Sequence, residues 1–299
     1  MSLALRLGAK VPNTGPVFRL GVARMAAMVE SAGFDSIWTS DHVVFPRDVR
    51  SRYPFAADGR ITWPVDVDYL EPVVALSAMT SVTAKAELGT SVLILPTRNP
   101  ILFAKQAACV DTISDGRLVL GVGVGWLREE FEALGADFEA RGAVLDEWIS
   151  VARRCWTGTV EPFEGRFYRL AEAIYCRPTP ARHVPVLIGG MSRHAQERAG
   201  RIADGWLAQY SLDDLSERGV ADGLAVLREA GTRAGRPPAE LDHFRIVVRV
   251  TGADRKLEVL ATRLESLAGA GATELVVDVD WETDAGPAKG FDILRSAVA

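Results

Sequence analysis

The sequence predicts an α/β fold: a (β/α)8 barrel with a long loop after the second strand and a short hairpin insertion before the fifth. Three observations carry this expectation. Short runs rich in Val, Ile and Leu recur along the chain, each is followed by a stretch with helical periodicity, and eight such runs can be counted. An open doubly wound sheet usually has fewer strands, so eight units favour closure into a barrel. The 299 residues suit a single barrel domain over 1–299, with no linker, low-complexity tract or further repeat to divide it.

In chain order the strands are expected at Leu3–Lys10, Ser36–Asp41, Ala86–Leu95, Leu118–Val124, Pro185–Gly189, Gly205–Gln209, Phe244–Val250 and Glu274–Asp280. Helices are expected at Val17–Ala32, Glu71–Val82, Ile101–Ser114, Trp126–Trp156 with a break near Gly135, Ser192–Ala203, Leu212–Ala234, Lys256–Ala268 and Phe291–Val298. Gly33 and Gly269 just past helix ends, and Ser192 just before one, suit the caps those borders need. Val43–Leu70 is rich in Pro and aromatics, follows the second strand, and should hang over the strand ends as a lid. Around Val160–Pro180, Gly165 with Phe167 and Leu170 suggests the hairpin, covering an edge of the barrel.

Composition narrows the function. A formal charge of −5 argues against a general nucleic-acid or anionic-membrane binder, since both need a basic face. No apolar run approaches a bilayer span, and the first residues lack the pattern of a secretory signal, so a cytoplasmic location is expected. Cys109, Cys155 and Cys176 have neither metal nor disulfide spacing and read as idle thiols.

Barrel active sites are assembled from the C-terminal strand ends. Ile188-Gly189-Gly190-Met191-Ser192 ends a strand and opens a helix containing His194, Arg198 and Arg201. Bare backbone, free N–H groups and a hydroxyl there suit a phosphate, and they suit a plain serine-capped turn equally well. Asp41 and His42 stand at the second strand's mouth, where a histidine can meet a cofactor or move a proton. Gly121-Val122-Gly123-Val124-Gly125 is not the G-x-G-x-x-G dinucleotide fingerprint; a strand end kept bare for a flat ring is the better reading. Trp126, Glu129 and Glu130 follow it, the acids suiting a helix start. The Thr90–Pro100 stretch offers either a hydrogen-bonding wall, with Arg98 for an anion, or an ordinary capped loop. Phe45, Tyr53, Phe55, Trp63 and Tyr69 are the lid aromatics, and Phe45, Trp63 and Trp126 are the candidate substrate contacts.

Taken together, Gly33–Trp38, Ser40-Asp41-His42, Leu88–Val92, Asp115-Gly116-Arg117, Gly121–Trp126, Gly189–Ser192 and Ala203–Trp206 resemble, in this order and over nearly the whole chain, the luciferase-like monooxygenase superfamily, and most its deazaflavin (coenzyme F420)-dependent branch. The resemblance implies a (β/α)8 barrel using reduced flavin with oxygen, or a deazaflavin as hydride carrier. It places Asp41 and His42 against the ring, with His42 catalytic. Ser91-Val92 matches a non-prolyl cis peptide against the ring's far face, and Gly123, Val124 and Gly125 match the backbone beside it. Gly189, Gly190, Met191 and Ser192 match the phosphate end. Family sugar-phosphate dehydrogenases carry a glutamate proton donor after the glycine run; Trp126 stands here instead, so a sugar phosphate is not the expected substrate.

The expected function is therefore hydride transfer between F420 and a small organic substrate. FMN-dependent monooxygenation, with reduced flavin from a separate reductase, is the alternative. A Schiff-base aldolase using Lys10 and a non-catalytic cofactor-binding barrel stand further off. A metal hydrolase lacks an H-x-H strand and has only four histidines to draw on. A homodimer is compatible with the pattern.

Overall fold

A computed structural model describes residues 5–56, 58–61 and 63–297. Eight parallel strands close into a barrel: β1 Arg6–Lys10, β2 Ser36–Thr39, β3 Glu87–Ile94, β4 Leu118–Gly123, β5 Val186–Gly189, β6 Gly205–Ser211, β7 Arg245–Thr251 and β8 Glu274–Asp278. Closure is made by β1, which pairs with β2 on one side and β8 on the other. Each expected strand is present; most are trimmed at their ends, while β6 runs on to Ser211 and β7 to Thr251. Leu3, where the first was expected to start, and Val298, where the last helix was expected to end, lie outside the described residues.

The barrel interior shows why these strands take these residues. Trp38 fills the axis with Val119, Leu187, Leu207, Val247 and Val276. It fits only because Gly8 and Gly89 face it: a Cβ on Gly89 would stand 2.4 Å from the Trp38 ring, and one on Gly8 2.9 Å from its Nε1. Period-two alternation sends the intervening residues, such as Ile37, Leu120, Ile188 and Val248, outward to the helices.

Helices differ from expectation where local chemistry intervenes. The first divides into Pro16–Leu20 and Val22–Ala32 at Gly21, whose φ of 83° no ordinary helix tolerates. The helix expected from Leu212 begins instead at Glu217, because the Ser216 hydroxyl accepts the Gly219 N–H as its cap. The long Trp126–Trp156 stretch becomes Arg128–Ala133 and Arg141–Cys155 across Gly135. The last helix starts early, at Gly286, and a short helix at Pro238–Asp242 was not expected.

The insertion forms two small antiparallel ladders, Thr159–Val160 with Ile174–Tyr175 and Phe163–Glu164 with Arg169–Leu170. It covers the helical layer rather than a strand edge. Glu147, on the helix Arg141–Cys155, accepts the N–H groups of Arg166, Phe167 and Tyr168, and Cys176 packs with Ala104, Val151 and Cys155. Burial and the adjacent Cys176 push the Cys155 thiol up to about 12, which keeps it unreactive. Among the described residues, no helix is long and apolar enough to cross a membrane.

Several motifs behind the family resemblance turn out to be braces. Buried Arg117 donates to Thr83 Oγ1 at 2.9 Å, Ala86 O at 2.8 Å and Thr83 O at 2.9 Å, fixing the entry to β3. Asp204 accepts from Val186 N at 2.8 Å and meets His183 at 3.0 Å. Trp206 Nε1 donates to Gly190 O at 2.7 Å.

Candidate active site at the barrel mouth

Adjacent strand ends bring His42 (after β2), Val92 (β3), Gly123 (β4) and Gly189 (β5) along one arc of the mouth. The Ser91-Val92 peptide is cis, as the family resemblance implies. Val92 packs into the barrel, and the glycines exist for it. A Cβ on Gly189 would lie 2.2 Å from Val92 Cγ1 and one on Gly123 2.7 Å from Val92 Cγ2. A Cβ on Gly121 would strike Thr90 O, and one on Gly125 would crowd Ile94 and Phe131. The side-chain space at these strand ends is therefore taken by protein, with Val92 capping the core there. Val124 is half-buried beside it.

His42 is held rather than loose. Its Nδ1 lies 2.9 Å from Glu130 Oε2, and Glu130 is buried, with 1% side-chain exposure. The other carboxylate oxygen of Glu130 accepts Val43 N at 2.6 Å. Phe45, Tyr69 and Trp126 surround the imidazole, at centroid distances of 4.5, 5.9 and 5.9 Å. Tyr53 stacks edge-on against Trp126 and Trp63 and reaches Gln209 with its hydroxyl, while Phe55 turns outward. Of the candidate substrate contacts, Phe45 and Trp126 touch His42, and Trp63 sits behind Tyr53. Burial, with the Asp41 charge second, raises the Tyr69 phenol well above its ordinary range, so it stays neutral.

The lid carries no helix or strand among its described residues. Two consecutive acids in the first turn of the helix Arg128–Ala133 moor it: Glu130 as above, and Glu129 by accepting Arg50 N at 2.7 Å and Ser51 Oγ at 2.6 Å. Burial raises the Glu129 pKa, but hydrogen bonds from the Ser51 hydroxyl, its own N–H and the Arg50 and Ser51 N–H groups outweigh that and hold it at about 2. Asn13 clamps the other end, donating to Leu70 O at 2.7 Å and accepting Leu70 N on its carbonyl at 2.9 Å.

Asp41 supports the site from below. Both its oxygens are taken, by Ile94 N at 2.8 Å and Arg98 at 2.8 Å, and Arg98 also pairs with Glu71. Burial pushes the Asp41 carboxyl above its ordinary range despite Arg98. Asp41, expected against the ring, and Arg98, expected to meet an anion, pair with each other here. Arg198 and Arg201 likewise point to Asp146 on the neighbouring helix, away from the glycine turn. There Gly190 adopts a φ of 131°, and exposed Ser192 caps its helix by accepting Ala195 N at 3.2 Å, keeping its own proton to donate. Met191 accepts Gln209 N through sulfur at 3.3 Å.

The opposite arc holds residues the sequence reading passed over: Gln209 (β6), Arg249 (β7) and Asp278 (β8). Arg249 Nη1 reaches across to Ser91 O at 2.8 Å, Gln209 Oε1 at 3.3 Å and Ser40 Oγ at 3.4 Å. Its Nε and Ser91 Oγ are buried without a hydrogen-bond partner. Lys10 is buried beside them and donates to Asn13 Oδ1 at 3.2 Å; burial and the Arg249 charge, against weaker support from Asp278, lower its pKa well below the ordinary lysine value. The lysine on which a Schiff-base route depends is thus a strut under the mouth. Alternation along β7 was the signal available: Arg245 and Arg249 share the inward parity of Val247.

Unpartnered buried donors, a packed apolar surface at Val92 and a histidine in an aromatic cage fit a flat heterocycle with a polar edge. An open depression of about 430 Å3 lies within the lid itself, between Val49–Arg52 and Asp58–Ile61, and another of about 410 Å3 lies beside Asp254, Asp280 and Lys289; His42, Val92 and Arg249 line neither of them.

The family model described as luciferase-like monooxygenase matches residues 12–284. An uncharacterised protein of Mycobacterium tuberculosis is 33% identical over 207 residues, 69% of this chain and 71% of its own. An F420-dependent glucose-6-phosphate dehydrogenase of Nakamurella multipartita is 33% identical over 247 residues, 81% of this chain and 67% of its own. Among solved structures, an F420-dependent secondary alcohol dehydrogenase with an F420-acetone adduct superposes with a TM-score of 0.73 at 17% identity, covering 99% of both chains. The FMN-bound oxygenating constituent of a Pseudomonas putida diketocamphane monooxygenase gives 0.69 at 15%, covering 100% and 98%. The chain belongs to the luciferase-like monooxygenase family, whose members are enzymes.

Proposed function

We propose that this member of the luciferase-like monooxygenase family is an F420-dependent oxidoreductase that transfers hydride between the deazaflavin and a small organic substrate held under the 43–70 lid. The observation that carries the reading is the His42–Glu130 pair, caged by Phe45, Tyr69 and Trp126 beside the Val92 surface. The names of relatives such as the Nakamurella dehydrogenase support the choice of cofactor.

Val92, Ser91, Val124 and the backbone of Gly123 and Gly125 would hold the ring, and Gly189 to Ser192 the phosphate. Bound there, a deazaflavin supplies a carbon centre that gives or takes hydride and lacks the ring nitrogen behind rapid reaction with oxygen. Glu130 accepts the Nδ1 proton of His42, which fixes the tautomer and leaves Nε2 to hold or release the proton that balances hydride transfer to or from a carbonyl. The aromatic cage and lid exclude water from that exchange. Asp41 acts through Arg98 and Ile94, holding the β3 exit in place.

Fluorescence titration of the purified protein with oxidised F420 and with FMN tests the cofactor. Saturable F420 quenching supports the reading, and tight FMN binding without F420 binding overturns it. The likeness to the FMN-bound monooxygenase favours a second reading, oxygenation fed by a separate flavin reductase. Oxygen uptake that requires reduced FMN is its signature.

A further inference from the structure

We propose that Arg249, with Ser91 Oγ beside it and Lys10 behind, forms an oxyanion subsite at the barrel axis, so that the ligand group seated there is a carboxylate or a carbonyl oxygen bearing negative charge. The inference deepens the reading of the mouth as the ligand site and goes beyond its cofactor.

The argument starts from partners. Arg249 is half-buried, and its hydrogen bonds within the protein end on neutral oxygens: the Ser91 carbonyl, the Gln209 amide and the Ser40 hydroxyl. Among the described residues, neither Arg249 nor Lys10 has a carboxylate within ion-pair distance. The nearby acids are committed elsewhere, Asp41 to Arg98 and Glu130 to His42. Asp278 favours the charged form of Lys10, but less strongly than burial and Arg249 oppose it. A guanidinium left with an orphaned Nε in a protein interior is costly unless something arrives to meet it.

Geometry says what that something is. Arg249 Nε and Ser91 Oγ are both donors, both are buried without partners, and Arg249 already bonds the Ser91 backbone, so they sit on one small patch. Two spare donors on a patch whose formal charge comes from Arg249 select an oxygen that carries negative charge or gains it during reaction. Two sources fit that chemistry, the substrate itself or the polar edge of the ring.

Calorimetric titration of the protein with acetate and benzoate, each against its neutral amide, separates these cases when repeated with F420 saturating. The expected result is a preference of tenfold or more for the carboxylate, reduced to parity in Arg249→Met and weakened several-fold in Ser91→Ala, whose smaller change guards against misfolding of the first variant. Persistence of the preference with F420 bound assigns the subsite to substrate; its loss, with mutual competition, assigns it to the ring edge. Equal binding of acids and amides by the parent protein, no binding of either, or an undiminished preference in Arg249→Met, overturns the proposal. A protein that prefers carboxylates yet fails to bind F420 would sink the cofactor assignment while leaving the oxyanion subsite standing.

Discussion

Arg245 and Arg249 stand on the same strand with the same inward parity, one near the N-terminal end of the barrel and the other at its mouth. Arg245 is surrounded by carboxylates. It pairs with Glu274 and, at 2.7 Å, with Glu87, which in turn holds Arg6, while Glu274 also takes Ser36 Oγ and Trp38 Nε1. Arg249 meets only neutral oxygens and keeps a donor spare. The lower network is closed, with its formal charges compensated inside the protein. The upper one is not compensated by a carboxylate, and that difference marks the lower end as scaffold and underlies the subsite proposed for the mouth.

The sharpest way to break this comparison is at the closed end. Glu274→Ala strips Arg245, Ser36 and Trp38 of a shared acceptor, and we expect a loss of about 3–5 kcal/mol in chemical denaturation, the usual consequence of leaving a buried charge half-compensated. A change below about 1 kcal/mol would show that the network does not bear on stability. At the open end the effect should fall on turnover. His42→Ala is expected to reduce kcat by about a hundredfold or more, with F420 affinity within a few-fold; Glu130→Gln should narrow or shift the pH–rate profile while keeping binding.

Arg249→Met sharpens the contrast further. Because no carboxylate is orphaned by its removal, stability should stay within about 1 kcal/mol of the parent, measured under the same denaturant conditions as Glu274→Ala. A loss comparable to the Glu274 variant would erase the distinction between the two ends. The smallest effect concerns acid. Glu129 has its folded-state pKa depressed to about 2, below the roughly 4.3 of an unfolded glutamate. Its contribution is therefore full above about pH 4.3 and is lost as pH falls toward 2. Tryptophan fluorescence should report loosening of the lid in that interval, and Glu129→Gln should loosen it already at neutral pH.

Much of the barrel could be read from the sequence because its determinants are local. Strands of alternating parity, Gly33 past a helix, and Ser192 before one announce themselves within a few residues. His42 was legible for the same reason, lying directly after a strand. Its partner was not: Glu130 is 88 positions away, and only closure of β2, β3 and β4 brings the two together. The glycine run was seen but its purpose was not, since nothing local says that Val92 turns inward and claims the space over Gly123 and Gly189. Arg98 looked available until the fold placed Asp41 and Glu71 on it. Arg249 was within reach of the parity rule, but its partners Ser91 and Gln209 come from other strands and only closure of the barrel brings them to it.

The moorings of the lid have a consequence for how such a protein diversifies. Glu129, Glu130 and Asn13 grip chiefly main-chain N–H and C=O groups at Val43, Arg50, Ser51 and Leu70, which every residue except proline can offer at an N–H. Side chains between the two anchor points are thereby released from the duty of holding the loop in place. Under the proposed function, substitutions or whole-segment grafts over 53–66 would alter which molecules are admitted while the imidazole and its carboxylate stay where they are, which would make the crossing an exchangeable cassette over the His42–Glu130 pair.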